Sequence, residues 1–432
     1  MARSTTRAQR DWALYDWANS AFSTTVIAGF FPLFFKQYWA GDLEPTTSTF
    51  WLGAANSGAS LTVLMLAPVL GALSDIDRSH RRWLGLFASI GIVATIGLFL
   101  IGQGQWQAAA AVYAIAVIGW SGANVFYDAM LPTLTGPQQR HRLSSFGFAL
   151  GYLGGGLLFL VNVMMTLKPA WFGLADAGEA VRYAFLSVAL WWAVFALPLL
   201  LSRHNTGVVP VAKGELKPFG QRVADVMRGL AGTARSIKTN RNLALFLVGY
   251  WFYIDGVATI IRMAVDYGIA IGLPSNSLII ALLLVQFVGF PSTLVFGRIS
   301  ERIGARVSLL IALSAYLVAT IAAAAMSTAV HFYALAVVLG LVQGAVQALS
   351  RSLFSQLIPA ERPLAWCCWP ASRNLSIPVR TRDQLTPPDT GRLSAARARI
   401  LDAVAGLDRA DVKSQRHRRE GQACRHRTRD PG

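Results

Sequence analysis

Residues 14–35 read LYDWANSAFSTTVIAGFFPLFF, a stretch long and apolar enough to cross a bilayer that nonetheless places an acid near its start. At helical spacing Asp16, Asn19, Ser20, Ser23 and Thr24 recur every three or four residues and form one polar stripe. Phe, Val, Ile and Leu take the rest of the circumference. A carboxylate at the centre of a membrane helix costs about 2.5–3.5 kcal/mol and less near the ends, so such a residue faces a bundle interior or a watery cavity. The stretch is therefore read as the first helix of a transport pathway.

The remainder of the chain agrees. Of 432 residues 54% are hydrophobic and 14% charged, well below the quarter or so of charged residues in a soluble domain. Hydropathy marks ten spans, near residues 13–38, 50–74, 83–102, 108–134, 144–167, 183–202, 243–269, 277–299, 307–326 and 331–358. The net charge of +17 does not point to nucleic acid, because the basic residues lie between apolar spans and in one terminal tail. Cys367, Cys368 and Cys424 all lie in that tail, at no zinc-ligand spacing, and no cofactor is expected. The arginines before the first span resemble a signal peptide, but the apolar run is too long, contains Asp16 and is followed by further spans. It is expected to be retained.

Basic residues in the short loops set the orientation. Arg3, Arg7, Arg10, Arg78, Arg81, Arg82, Arg140, Arg142, Arg298, Arg302 and Arg306 fall on one side, together with the basic connection at 203–242. The other side holds Lys168 and Arg182 beside Asp42, Glu44, Asp176 and Glu179. Both termini are thus expected in the cytoplasm of a bacterial-type inner membrane. The connection divides the spans into a six-helix bundle (1–202) and a four-helix part (243–363), and is read as a solvated linker touching anionic headgroups.

The two parts repeat one another. GALSDIDRSH (71–80) follows the second span and GRISERIGAR (297–306) follows the eighth, while Tyr15-Asp16 and Tyr253-Ile254-Asp255 give the first and seventh spans an acid beside a tyrosine. Repeats of this kind are an architecture of secondary transporters, with the solute site between them.

On these motifs the sequence resembles the major facilitator superfamily. GALSDIDRSHRR (71–82) is similar to that superfamily's loop signature between its second and third helices, although Asp77-Arg78-Ser79 stands where Arg-x-Gly is usual. Within the superfamily YDWANSAFSTTVIAGFFPLFF, ANVFYDAMLP, FYIDGVATI and ALSRSLFSQLIPAER resemble the vacuolar-effluxer-like permeases, over residues 11–363. The resemblance implies an all-helical bundle of twelve helices, an amino-acid-like solute and a loop cluster that links the two halves when the inside is closed. After residue 363 it stops, and the Arg- and Pro-rich tail (364–432) has no apolar run near spanning length. The tail reads either as translation in a shifted frame or as a disordered extension. The shifted frame is preferred because the composition breaks where the resemblance ends, and it leaves the last two expected helices absent.

The candidate pathway residues are Asp16, Asn19, Asn124, Tyr127, Asp128, Tyr253, Asp255, Arg262, Gln343, Gln347 and Arg351. On the seventh span Asp255, Thr259, Arg262 and Asp266 share a face, read either as a solute or proton site or as a bracing ion pair. On the tenth, Gln343, Gln347, Arg351 and Ser355 step by four. The glutamines offer donors and acceptors to a solute or to a neighbouring helix, and Arg351 forks onto a carboxylate or serves as a gate. Asp128, near Pro132 on the fourth span, and Asp16 belong either to the solute site or to a gate with nearby arginines. Gly71, Asp75, Arg78, Arg82 and Glu301 form the candidate cytoplasmic gate. Gly154-Gly155-Gly156 is read as a place of close helix contact.

Function is then expected to be secondary transport of a small polar solute by alternating access, with protons as a second possible passenger and the lipid bilayer as the other partner. The alternatives are a broken permease without activity or a membrane scaffold. A membrane enzyme would need a nucleophile–base or metal constellation, and the sequence shows none.

Overall fold

The computed structural model describes residues 6–77, 79–136, 139–202, 241–323, 325–326 and 328–357. Among these, ten helices are long and apolar enough to cross a membrane, and the chain is an integral membrane protein. They are α1 (Arg7–Trp39), α2 (Pro45–Asp77), α3 (His80–Leu100), α4 (Trp106–Leu134) and α5 (Arg140–Leu167), then α6 (Ala177–Leu201), α7 (Arg241–Ala270), α8 (Ser275–Ile303), α9 (Ala305–Ala323) and α10 (Ala329–Leu357). Of the expected basic connection, residues 241 and 242 open α7 and the rest lies outside the described residues, as does the tail 364–432. Several helices outrun their apolar stretches, because polar residues cap and extend the ends that hydropathy cannot see. At the start of α1, Thr6 Oγ1 accepts from the Gln9 amide N–H while Gln9 Oε1 accepts from that of Thr6.

Successive helices run in opposite directions, so Arg81, Arg82, Arg140, Arg142, Arg298, Arg302 and Arg306 gather at the end where α1 begins. This is called the arginine-rich end below, and the other the far end. Gly272, at φ +83°, closes α7 at the far end. Its N–H bonds to the Ile269 carbonyl and that of Leu273 to Gly268, which satisfies the last turn before Pro274 leads into α8.

The core is organised around α1. Trp12, Tyr15, Phe22, Phe30, Phe31, Phe35 and Trp39 are all fully buried there. Between Phe22 and Phe30 the helix widens to i→i+5 bonding, just before Pro32, which has no N–H to continue an α-helical ladder. Along α5, glycine recurs where α1 comes closest. A Cβ at Gly147 would strike Asp16, at Gly151 Ser20, at Gly154 Trp17 and at Gly155 Thr24 and Ser20. Gly156 faces Gln286 of α8 instead. The triple glycine thus serves two close approaches, as expected of small residues between membrane helices. From the other side Trp191, Trp192 and Phe195 of α6 pack on Trp17 and Phe22.

Helix α5 also joins the two groups of spans, packing on both α8 and α10. Ser144 Oγ donates to the Ala348 carbonyl at 2.8 Å and an Arg140 guanidinium N–H to that of Ser355. Helix α7 is the poorly covered member, with Leu245, Val248, Trp251 and Phe252 all exposed.

Candidate functional site

A chamber of about 420 Å³ lies between the two groups of helices. Its wall takes Asp16, Asn19, Ser20, Ser23 and Thr24 from α1, and Trp120, Ser121, Asn124 and Asp128 from α4. Tyr152 of α5, Gln286 of α8 and Gln343, Gln347, Arg351 and Ser355 of α10 complete the polar lining, while α7 presents Tyr250, Ile254 and Ile261. The polar stripe read from 14–35 is therefore the α1 wall of the chamber. Asn19 Nδ2 donates to Asn124 Oδ1 at 2.8 Å, tying α1 to α4.

Arg351 lies towards the arginine-rich end of this chamber. Its Nη2 donates to Asp16 Oδ2 and its Nη1 to Asp128 Oδ1, each at 3.1 Å. Its Nε donates to Ser144 Oγ at 2.9 Å, and Nη2 also reaches the Ser144 carbonyl at 3.0 Å. The guanidinium lies over the rings of Phe148, Trp12 and Tyr127, at 4.1, 4.8 and 5.4 Å from their centroids. Every nitrogen of the cation is thus occupied, and its faces rest on aromatic rings, as a buried guanidinium requires. The two acids differ in exposure. The Asp16 side chain is 7% exposed and that of Asp128 41%, so Asp128 is the more open of the two acids that line the chamber.

A second charged contact joins the two groups of helices at the far end. Lys36 Nζ of α1 lies 2.6 Å from Asp266 Oδ1 of α7, and Thr49 Oγ1 of α2 donates to Asp266 Oδ2 at 3.2 Å. Both charged side chains are buried.

The expected residues divide accordingly. Asp16, Asn19, Asn124, Asp128, Gln343, Gln347 and Arg351 meet around the chamber, and Tyr127 lies buried behind it, stacked on Trp12 at 4.5 Å. Tyr253 is placed elsewhere, sharing a hydrogen bond with Ser350. Asp255 is exposed and lines no wall of the chamber. The physical reason is angular. Tyr250, Ile254 and Ile261 define the chamber face of α7, and one residue further along turns a side chain by about 100°. Thr259 borders a separate, mostly apolar cavity of about 280 Å³ among α7, α8, α9 and α10. Of the candidate gate, Gly71 is buried and Arg82 and Glu301 are exposed, while Arg78 and the side chain of Asp75 lie outside the described residues, as does the side chain of the pathway candidate Arg262.

Sequence reasoning overlooked Lys36, Gln286 and Ser144. Both of the first two were visible as polar interruptions of apolar runs, Lys36 beside Gln37 in FFKQYW and Gln286 alone in LLLVQFVGF. Ser144, beside a loop, carried no such signal. Among the described residues no cluster of His, Cys, Asp and Glu has the makings of a metal site.

The family model described as vacuole effluxer Atg22 like matches residues 4–365. The chain belongs to this family. An uncharacterised MFS-type transporter of Bacillus subtilis, YxiO, is 34% identical over 304 residues, covering 70% of this chain and 69% of that one. Autophagy-related protein 22 of Eremothecium gossypii is 22% identical over 298 residues, or 59% and 57% of the two chains. The protein of that name from Yarrowia lipolytica matches 138 residues at 28% identity, 23% of its own length. Solved structures share the fold of this Atg22-like chain. The proton:xylose symporter XylE, bound to 6-bromo-6-deoxy-D-glucose, superposes with a TM-score of 0.56 at 14% identity, over 84% of each chain. The human organic anion transporter MFSD10 gives 0.55 at 15% identity, over 84% of this chain and 90% of its own. The fold is that of the major facilitator superfamily, and membership of an MFS-type family makes the chain a transporter homologue.

Proposed function

We propose that this Atg22-like chain is a secondary transporter that carries a small polar, amino-acid-like solute by alternating access, with a proton as the coupling ion. The observation that carries this reading is Arg351. A cation from the second group of helices is held by two acids of the first, across one end of a polar chamber of solute size. Lys36 and Asp266 make the corresponding contact at the far end. Opening one end then means parting Arg351 from Asp16 and Asp128, and opening the other means parting Lys36 from Asp266. Alternating access needs two end states within a few kcal/mol, which ion pairs that exchange for water or solute are suited to provide.

The arginine-rich end is assigned to the cytoplasm of a bacterial inner membrane, with both termini on that side. On this assignment the Arg351 contact is the inner gate and Lys36–Asp266 the outer one. Gly71, Asp75, Arg78, Arg82 and Glu301 then belong to the cytoplasmic rim rather than to the solute site.

Alternation is tested on the full chain with its three cysteines replaced and a single cysteine introduced as Ser23→Cys. Labelling by a membrane-impermeant maleimide is expected from one side at a time, with D266N raising labelling from the outside and R351Q from the inside. Equal labelling from both sides in every variant would reject alternating access. The passenger is tested by uptake of a labelled amino-acid mixture into proteoliposomes.

A further inference from the structure

Among the described residues the charges around the chamber do not balance. Two carboxylates, Asp16 and Asp128, share one guanidinium, and Arg351 is the only cation among the described residues of the lining. Among the described residues the neighbouring elements supply no second cation directed at the pair. From α1 the nearby titratable group is Tyr15, from α4 Tyr127 and from α7 Tyr250. On α5, Arg140 donates to the Ser355 and Pro132 carbonyls, and His141 is bonded to Ser352 and Gln356. Two ionised acids in an enclosed site with one cation leave a net negative charge there, and such a site favours whatever neutralises it. Asp16 lines the chamber but is largely buried, whereas Asp128 is the more open of the two acids.

We propose that Asp128 neutralises this surplus by holding either a proton or the cationic group of the solute, so that a solute of net charge +1 enters as the proton leaves. The step balances. The carboxylic O–H of Asp128 gives its proton to water, and the carboxylate it leaves behind pairs with an ammonium or guanidinium group. The rest of the lining fits a solute of this class. Gln286, Gln343 and Gln347 offer amide donors and acceptors to its polar body. Arg351 spends four of its five N–H groups on Asp16, Asp128 and Ser144, and the one left at Nη1 cannot grip a solute carboxylate in a two-pronged fork, which disfavours an anion. This inference rests on the transporter reading and narrows it to proton exchange against small amines or dibasic amino acids.

The test uses purified full-length protein in a weakly buffered solution with a pH indicator. L-lysine, L-arginine and ethanolamine are the +1 probes, L-glutamine the neutral one and L-glutamate the anionic one. The +1 probes are expected to release about one proton per bound solute. Glutamine and glutamate are expected to bind at least roughly tenfold more weakly and to release none. D128N should abolish both proton release and binding of the +1 probes while remaining monodisperse, and D128E should restore them. Preference for glutamine or glutamate, binding of a +1 probe without proton release, no binding of any +1 probe, or release persisting in D128N would each overturn the proposal. Labelling of the Ser23→Cys protein reports separately on alternating access. Failure of the exchange with alternation intact removes this inference alone.

Discussion

Helices α1 and α7 are counterparts in the internal repeat, each with an acid beside a tyrosine, yet they have opposite surroundings. In its most apolar window α1 is 89% buried and α7 6%. The difference lies in what covers them. Glycines of α5 admit α1 to close contact on one side, and the tryptophans of α6 close over it on the other. Among the described residues α7 has no such pair of neighbours and meets α1, α8 and α10 over short stretches only. The same motif therefore yields a buried, paired acid in one case (Asp16) and an exposed one in the other (Asp255). A motif fixes which residues share a helix face. The neighbours decide what that face does.

The contrast between the two helices can be broken or sharpened by substitution. The largest effect is expected for R351A, which strips the partner from two acids at once and should cost about 3–5 kcal/mol in detergent unfolding as well as abolish transport. Somewhat less, about 3 kcal/mol, is expected for D266N, which leaves Lys36 charged and buried against a neutral amide but breaks a single pair. If α7 were as loosely held as its exposure suggests along its whole length, this variant would behave like wild type in the same unfolding measurement. Gly147→Ala puts a methyl group against Asp16 and Trp12 and should cost about 1–3 kcal/mol. The matching change on the other helix, Gly256→Ala, meets nothing within 4 Å and should be neutral or stabilising by up to about 1 kcal/mol. A comparable loss for both would erase the distinction drawn between α1 and α7. Least of all, D255N should shift stability by under about 0.5 kcal/mol and leave uptake unchanged. A transport defect in D255N would return the seventh-span acid to the pathway.

Much of this was legible in the sequence, for definite reasons. Ten spans follow from apolar length, and the polar face of α1 follows from three- and four-residue spacing, because both are local properties. So is the step of four from Gln343 through Gln347 to Arg351, and all three reach the chamber. What was not legible is rotation and partnership. Nothing in the seventh span states that residue 254 rather than 255 faces inward, since that depends on α1 and α8. Nor does any local pattern join Asp16, Asp128 and Arg351, which come from three helices far apart in the chain. The sequence leaves Asp16 and Asp128 between solute site and gate, with Arg78, Arg81 and Arg82 as candidate partners. Arg351 instead reaches both from the second half.

The two charged contacts are laid out with opposite polarity. At one end the first group of helices contributes acids and the second a base, and at the other the first contributes a base and the second an acid. This amounts to a key for assembly. Were the second group to dock upside down, Asp16 would confront Asp266 and Lys36 would confront Arg351, like charge against like in a medium with no water to soften either clash. The charges proposed to part during transport would thus also favour the one docking in which the two halves of the passage meet the right way up.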